Sequence, residues 1–200
     1  MSNFFSRQNV FKLFAESFLI ILSVLLALLL NEYRMNLREQ KLKDAALTSV
    51  RNELRDNLAT LEKWRPYHIE VLQNVQAAIQ NPAIQDSMVS PHHINYWYIM
   101  PKGVVQSIIN STAWEILKGV NARTHIDFDT MLTLSNLYNI QAMGVQATVD
   151  VILQTMSSRE ALQAERLQET LMLFRSSYRE LVSQEEYLIQ TYKAYLENQP

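Results

Sequence analysis

The sequence predicts an all-α protein, with an N-terminal transmembrane helix continuing into a long-helix antiparallel bundle of about four helices. Three observations carry that expectation. Only 3 glycines and 5 prolines punctuate 200 residues, whereas sheet proteins need turn residues every eight to twelve positions or so. The run Phe18-Leu-Ile-Ile-Leu-Ser-Val-Leu-Leu-Ala-Leu-Leu-Leu30 contains a single polar side chain, Ser23. Beyond it, apolar residues recur at three- and four-residue spacing, the signature of helices that bury one face.

Composition narrows the class. With 48% hydrophobic and 19% charged residues, the chain suffices for one domain with a core plus an anchor, and a second large domain does not fit. The division expected is a tail at 1–12, a transmembrane anchor at 13–32 and a helical bundle domain at 33–200. The 18 basic and 20 acidic residues are interspersed, so no phosphate-binding footprint exists and no nucleic-acid partner is expected. The absence of cysteine excludes disulfides and thiolate chemistry and leaves the compartment open.

The apolar run alone covers about 20 Å, short of the ~30 Å hydrocarbon core. Extending it back through Leu13, Phe14, Ala15, Glu16 and Ser17 lets it span. A cleaved signal peptide is the main competitor, but no small-x-small site follows Leu30, and helix-favouring residues continue without Gly or Pro to Pro66. An uncleaved anchor in contact with membrane lipid is therefore expected. Glu16 and Ser23 are the candidates for intramembrane contact, because a carboxylate within a span is costly unless it is interfacial, protonated or paired. Flanking positive charges are nearly level, with Arg7 and Lys12 before the run and Arg34, Arg38, Lys41 and Lys43 after it. They do not decide orientation.

The helices of the bundle follow in order. Leu47, Val50, Leu54, Leu58 and Leu61 form an apolar stripe, Pro66 is expected to break or kink that helix, and Ile69, Leu72, Val75 and Ile79 resume it. A polar, Pro-punctuated loop is expected from Asn81 to Pro91. The segment 92–101 is the densest in aromatic residues, including Tyr96, Trp97 and Tyr98. Its adjacent His92 and His93, with His125 and Asp127, are of metal-ligating type, but adjacent histidines do not share a helix face, so packing or partner contact is the better reading and no metal or other cofactor is expected. A helix is predicted over 104–118 with Val105, Ile108, Ile109, Ala113, Ile116 and Leu117 inward, stopped by Gly119. Asp127 is placed to cap the next helix, whose seam is Phe128, Met131, Ser135, Tyr138, Ala142, Val145, Val149, Ile152 and Met156.

That helix carries one charge, Asp150, between Thr130 and Met156. A surface helix normally carries charge on its outer face, so this one is expected to be covered on more than one side, as a central bundle helix or an oligomer interface. Ser157 and Glu160 have capping-box spacing and open the last helix. Its seam runs Ala164, Leu167, Leu171, Phe174, Tyr178, Leu181, Glu185, Leu188, Tyr192 and Tyr195, with only Glu185 out of keeping.

Two pairs of segments carry a resemblance. The stretch from Glu16 to Arg34 running into Asn52-Glu-Leu-Arg-Asp-Asn-Leu58, and Ser111-Thr-Ala-Trp-Glu115 followed by Leu134-Ser-Asn-Leu-Tyr138, resemble an uncharacterised group of bacterial single-span inner-membrane proteins. That group often has Gly where Ser23 stands and Trp where Tyr33 stands. The resemblance implies one N-terminal span in the bacterial inner membrane and a periplasmic helical domain. It implies no activity, and it marks Trp114 and Glu115 as residues to test first.

The leading functional expectation is a non-enzymatic interaction, scaffold or accessory subunit of a membrane assembly, working as a homo-oligomer or in a larger membrane protein complex. Trp97, Trp114, Glu115, Tyr138 and Asp150 are its candidate partner or oligomer contacts. Second is a ligand-sensing helical bundle that signals through a partner, since small molecules bind between helices. Enzyme is third, because the chain lacks a Gly-rich phosphate loop, a zinc-protease helix motif, a nucleophile elbow and a Cys nucleophile.

Overall fold

The structure, a computed structural model, describes residues 7–91, 93–104, 108–119 and 125–197. Its first element, α1 (Arg7–Gln80), is one helix of 74 residues, about 110 Å long at 1.5 Å per residue. The other elements are α2 (Pro82–Met88), a two-residue strand pair β1 (Val89–Ser90) and β2 (His93–Ile94), α3 (Thr112–Gly119), α4 (Phe128–Ile140), α5 (Ala147–Met156) and α6 (Leu167–Glu197). The all-α expectation holds, apart from the antiparallel pairs Val89 with Ile94 and Ser90 with His93.

Along α1 the environment changes once. The apolar run lies exposed on all sides, and α1 is the one helix among the described residues long and apolar enough to cross a membrane. The Ser23 hydroxyl donates to the Leu19 carbonyl at 2.7 Å, so the single polar side chain of the run is satisfied by the helix itself, as a span requires. From Val50 onward the same helix packs against α6, which runs antiparallel to it. Glu62 pairs with Lys193 at 2.6 Å, Arg65 with Glu186 at 2.9 Å, and nearer the end of α1 Gln85 of α2 donates to Gln168 at 2.6 Å.

Pro66 does not end α1. A proline inside a helix costs roughly 3 kcal/mol, but Pro66 lies on the exposed side while the packed face continues past it. Val50, Leu54, Asn57, Leu61, His68, Val71, Val75 and Ala78 are all buried, with half-buried Trp64 completing alternating steps of four and three. The seam beyond Pro66 therefore runs through His68, Val71, Val75 and Ala78, and Ile69, Leu72 and Ile79 flank it half-buried. On α6 the expected seam is buried from Leu167 to Tyr195, Glu185 included, with only Ala164 left exposed before the helix begins.

Several local expectations are corrected. The stretch after Asn81 is helical because Pro82 takes the first helical position and Asn81 Oδ1 accepts from the Ala83 amide at 3.0 Å. The helix expected over 104–118 is only α3. Residues 108–111 lie outside any helix, where Asn57 grips the Asn110 backbone from both sides, accepting from its amide at 2.8 Å and donating to its carbonyl at 2.7 Å. Ile108 and Ile116 are consequently exposed, while Val105 and His92 lie outside the described residues. The last helix is preceded by two 3₁₀ turns, Glu160–Leu162 and Ala164–Arg166, and the capping hydroxyl is Ser158, which accepts from the Ala161 amide at 3.2 Å. Asp127 does cap α4, accepting from the Thr130 amide at 2.8 Å. That bond holds its carboxyl below the usual carboxylate range.

Between α4 and α5 the chain makes a π-helical turn, Gln141–Gln146. Such a turn holds about one extra residue, which shifts the seam. The buried side reads Leu134, Tyr138, Gln141, Val145 and Ile152, so Leu134 and Gln141 replace Ser135 and Ala142, and Phe128 is exposed. Gly144 makes room within this turn, since a Cβ there would lie 2.8 Å from Gln184 Oε1 of α6. The nearly uncharged α4–α5 helix packs on α6 and meets α1 and α3 through Tyr138 and Gln141, but part of its surface stays uncovered. Phe128, Leu132, Met143 and Val151 remain exposed, Phe128 by 77% and Met143 by 73%.

Candidate functional site

The α1–α6 seam is apolar except where polar residues meet across it. One meeting joins Asn57, Gln141 and Tyr192, each no more than 1% exposed. Tyr192 donates its hydroxyl to Gln141 Oε1 at 2.5 Å, Asn57 reaches the same oxygen at 3.4 Å, and Gln141 donates to the Asn110 carbonyl at 3.1 Å. Gln146 adds a bond to the Ile109 carbonyl at 3.3 Å. This network ties the irregular segment ahead of α3 onto α1 and the π turn. Burial pushes the Tyr192 hydroxyl well above its ordinary range, so it acts as a neutral donor.

Beside it stands a second buttress. Glu53 accepts from Tyr138 at 2.7 Å and from the Ala113 amide at 2.8 Å, and Tyr138 stacks on Trp114 at 5.3 Å with the rings 5° apart. Burial, and then the carboxylate of Glu53, hold Tyr138 strongly protonated. Segments far apart in the chain, at 52–58, 111–115 and 134–138, thus converge on one structural node.

The other meeting is chemically different. His68 Nδ1 lies 2.7 Å from Glu185 Oε1, with the two side chains 9% and 2% exposed. Facing a carboxylate, Nδ1 acts as the donor. Among the described residues no donor reaches Glu185 Oε2, which is also closed to solvent. His68 is flanked by the Tyr67 ring at 5.7 Å and the Tyr178 ring at 6.3 Å. Burial, with added repulsion from Tyr67 and Glu185, pushes the Tyr178 hydroxyl up. Tyr67 in turn fastens the chain beyond the aromatic segment, accepting from the Lys102 amide at 3.0 Å and donating to the Gly103 carbonyl at 2.9 Å. Gly103 has φ +76° there, a left-handed conformation that favours glycine.

His68 and Glu185 stand in the wall of a cavity of about 400 Å³, within the size range of small-molecule sites. Leu61 and Trp64 of α1, Ile109 of the segment ahead of α3, and Val145 and Val149 of the π turn and α5 give it apolar walls. Asp150, exposed, lines it too.

The residues singled out from sequence are dispersed. Glu16 and Ser23 lie on the free part of α1. Trp97 projects from a 3₁₀ turn, 66% exposed, while its neighbour Tyr96 is buried edge-on against Phe174 and donates to the Ala161 carbonyl at 2.6 Å. Trp114 and Tyr138 are buried against each other, and Glu115 pairs on the surface with Lys118 at 2.8 Å. Asp150 alone among them borders the cavity. His125 pairs with Glu39 at 3.0 Å, away from His93, and among the described residues no three His, Asp or Glu side chains gather as metal ligands do.

Asn57, His68 and Gln141 were not singled out from sequence. The signal for the first two was present, because the Val50–Leu54 spacing carried across Pro66 passes through both. The π turn that buries Gln141 has no comparable sequence mark. No protein-family model matches the chain, and neither a curated protein nor a solved structure matches it.

Proposed function

We propose that this chain is a non-enzymatic, membrane-anchored interaction or accessory subunit, held by residues 13–32 in a bacterial inner membrane with its helical domain on the periplasmic side. The observation that carries the reading is the outer side of α4–α5, where Phe128, Leu132, Met143 and Val151 are exposed on helices whose charges are Asp129 and Asp150 alone. Large apolar side chains left in water on helices with so little charge favour an interaction surface. The apolar run of α1, uncovered in the monomer, is served by lipid or by a neighbouring span.

The test is native mass and co-purification of the full-length protein in mild detergent, with Met143→Asp as the paired variant. A homo-oligomer or a stoichiometric membrane partner, lost with Met143→Asp, is expected. A clean monomer in both would sink the reading. In the same cells a single introduced cysteine, Gln190→Cys, should react with a membrane-impermeant maleimide, and labelling only after lysis would reverse the orientation.

A second reading, a ligand-binding bundle that signals through a partner, is favoured by one observation, the cavity walled by His68 and Glu185.

A further inference from the structure

We infer that the cavity beside the His68–Glu185 pair is a site for a small organic cation, an amine carried on an apolar body. This rests on the second reading above, that a small molecule binds between the helices, and names its chemical class. Two carboxylates, Glu185 and Asp150, line the cavity, and among the described residues no Lys or Arg does. The field within it therefore favours positive charge, and focusing between low-dielectric walls strengthens that preference.

Glu185 supplies the specific need. It is 1% exposed, its Oε1 is taken by His68, and among the described residues its Oε2 has no donor. A buried carboxylate with half its acceptor capacity unmet is costly. A protonated amine brings positive charge and three donors to a wall with two carboxylates, whereas an alcohol brings one donor and a carboxylate brings none.

The walls select the rest of the molecule. Leu61, Val145, Val149 and Leu153 offer apolar contact, and the Trp64 indole also borders the space, a ring type that attracts cations over its face. Asp150 is exposed where Glu185 is buried, so the first meets the ligand's solvent-facing part and the second its buried ammonium.

The experiment uses the full-length protein in nanodiscs of zwitterionic lipid, with empty nanodiscs correcting for partition. Binding of 4-fluorobenzylamine, 4-fluorobenzyl alcohol and 4-fluorobenzoate is followed by ¹⁹F NMR. The amine is expected to bind at least tenfold more tightly than the alcohol, and the benzoate not at all. Val149→Phe, which fills the cavity and leaves every charge in place, should abolish binding, and Glu185→Gln should weaken it tenfold or more. Should Glu185→Gln not fold, Asp150→Asn on the exposed rim takes its place, with an expected loss of severalfold. Equal binding of amine and alcohol would overturn the cationic class and leave the cavity reading standing. No binding of any probe above empty nanodiscs would overturn both, and amine binding untouched by Val149→Phe would move the ligand elsewhere.

Discussion

The two polar meetings on the α1–α6 seam are finished differently. Asn57, Gln141 and Tyr192 pair with one another and with the backbone of residue 110, and the network they build holds a crossing segment in place. About three helical turns along α1, His68 and Glu185 make one short bond and leave a carboxylate oxygen without a donor beside a cavity. A satisfied network rigidifies a core, whereas a buried ionisable pair left incomplete weakens one. The first is built for folding. On the reading proposed above, the second is kept for a ligand, at a cost to stability that unfolding measures.

The contrast can be broken most directly at Asn57. Asn57→Ala removes both of its bonds to Asn110 and strands the Asn110 amide, while the carbonyl keeps Gln141, so a loss of about 2–4 kcal/mol is expected. In thermal unfolding that is a fall of roughly 5–15 °C for a domain of this size. A variant as stable as the parent would show that the crossing segment is held by other contacts.

The opposite sign is expected at the other pair. Replacing His68 and Glu185 together by Leu removes two buried polar groups and keeps similar volume, and such replacements are neutral or stabilising by about 1–4 kcal/mol. Denaturant unfolding of the double variant therefore matches or exceeds the parent. A clear destabilisation would make this pair structural, like its neighbour, and erase the comparison.

The smallest effect is a pH dependence that the two meetings share. Burial raises the hydroxyls of Tyr192, in the network, and Tyr178, beside His68, and it brings Tyr96 to about 12. A raised acid is favoured in its neutral form by the folded state, so its contribution is complete below the unfolded value near 10 and is lost as pH rises through the folded value. Stability should thus show no tyrosine-linked change up to about pH 10 and decline above it. Tyr192→Phe should flatten that decline more than Tyr187→Phe at an exposed position, and equal slopes would deny the burial effect.

Much of the scaffold was legible because helix periodicity is local. The α6 seam is buried as its spacing predicts, and the one residue out of keeping, Glu185, proved to be the informative one. Periodicity failed where side chains distant in sequence competed with it. Asn57 pulls Asn110 out of a stretch that reads as helix, and neighbouring packing carries α1 past Pro66, where intrinsic propensity alone predicts a break.

By itself, then, the sequence determined an all-α chain with one apolar run fit to cross a membrane and two long amphipathic seams, since these follow from residue spacing and the cost of burying polar backbone. Tertiary structure alone decided that α1 stays whole, that a π turn shifts the α4–α5 seam by a residue, and that His68 meets Glu185 at a cavity wall. Those outcomes depend on which faces oppose each other in space. The pairing of residues 117 positions apart has no counterpart in the local pattern of either helix.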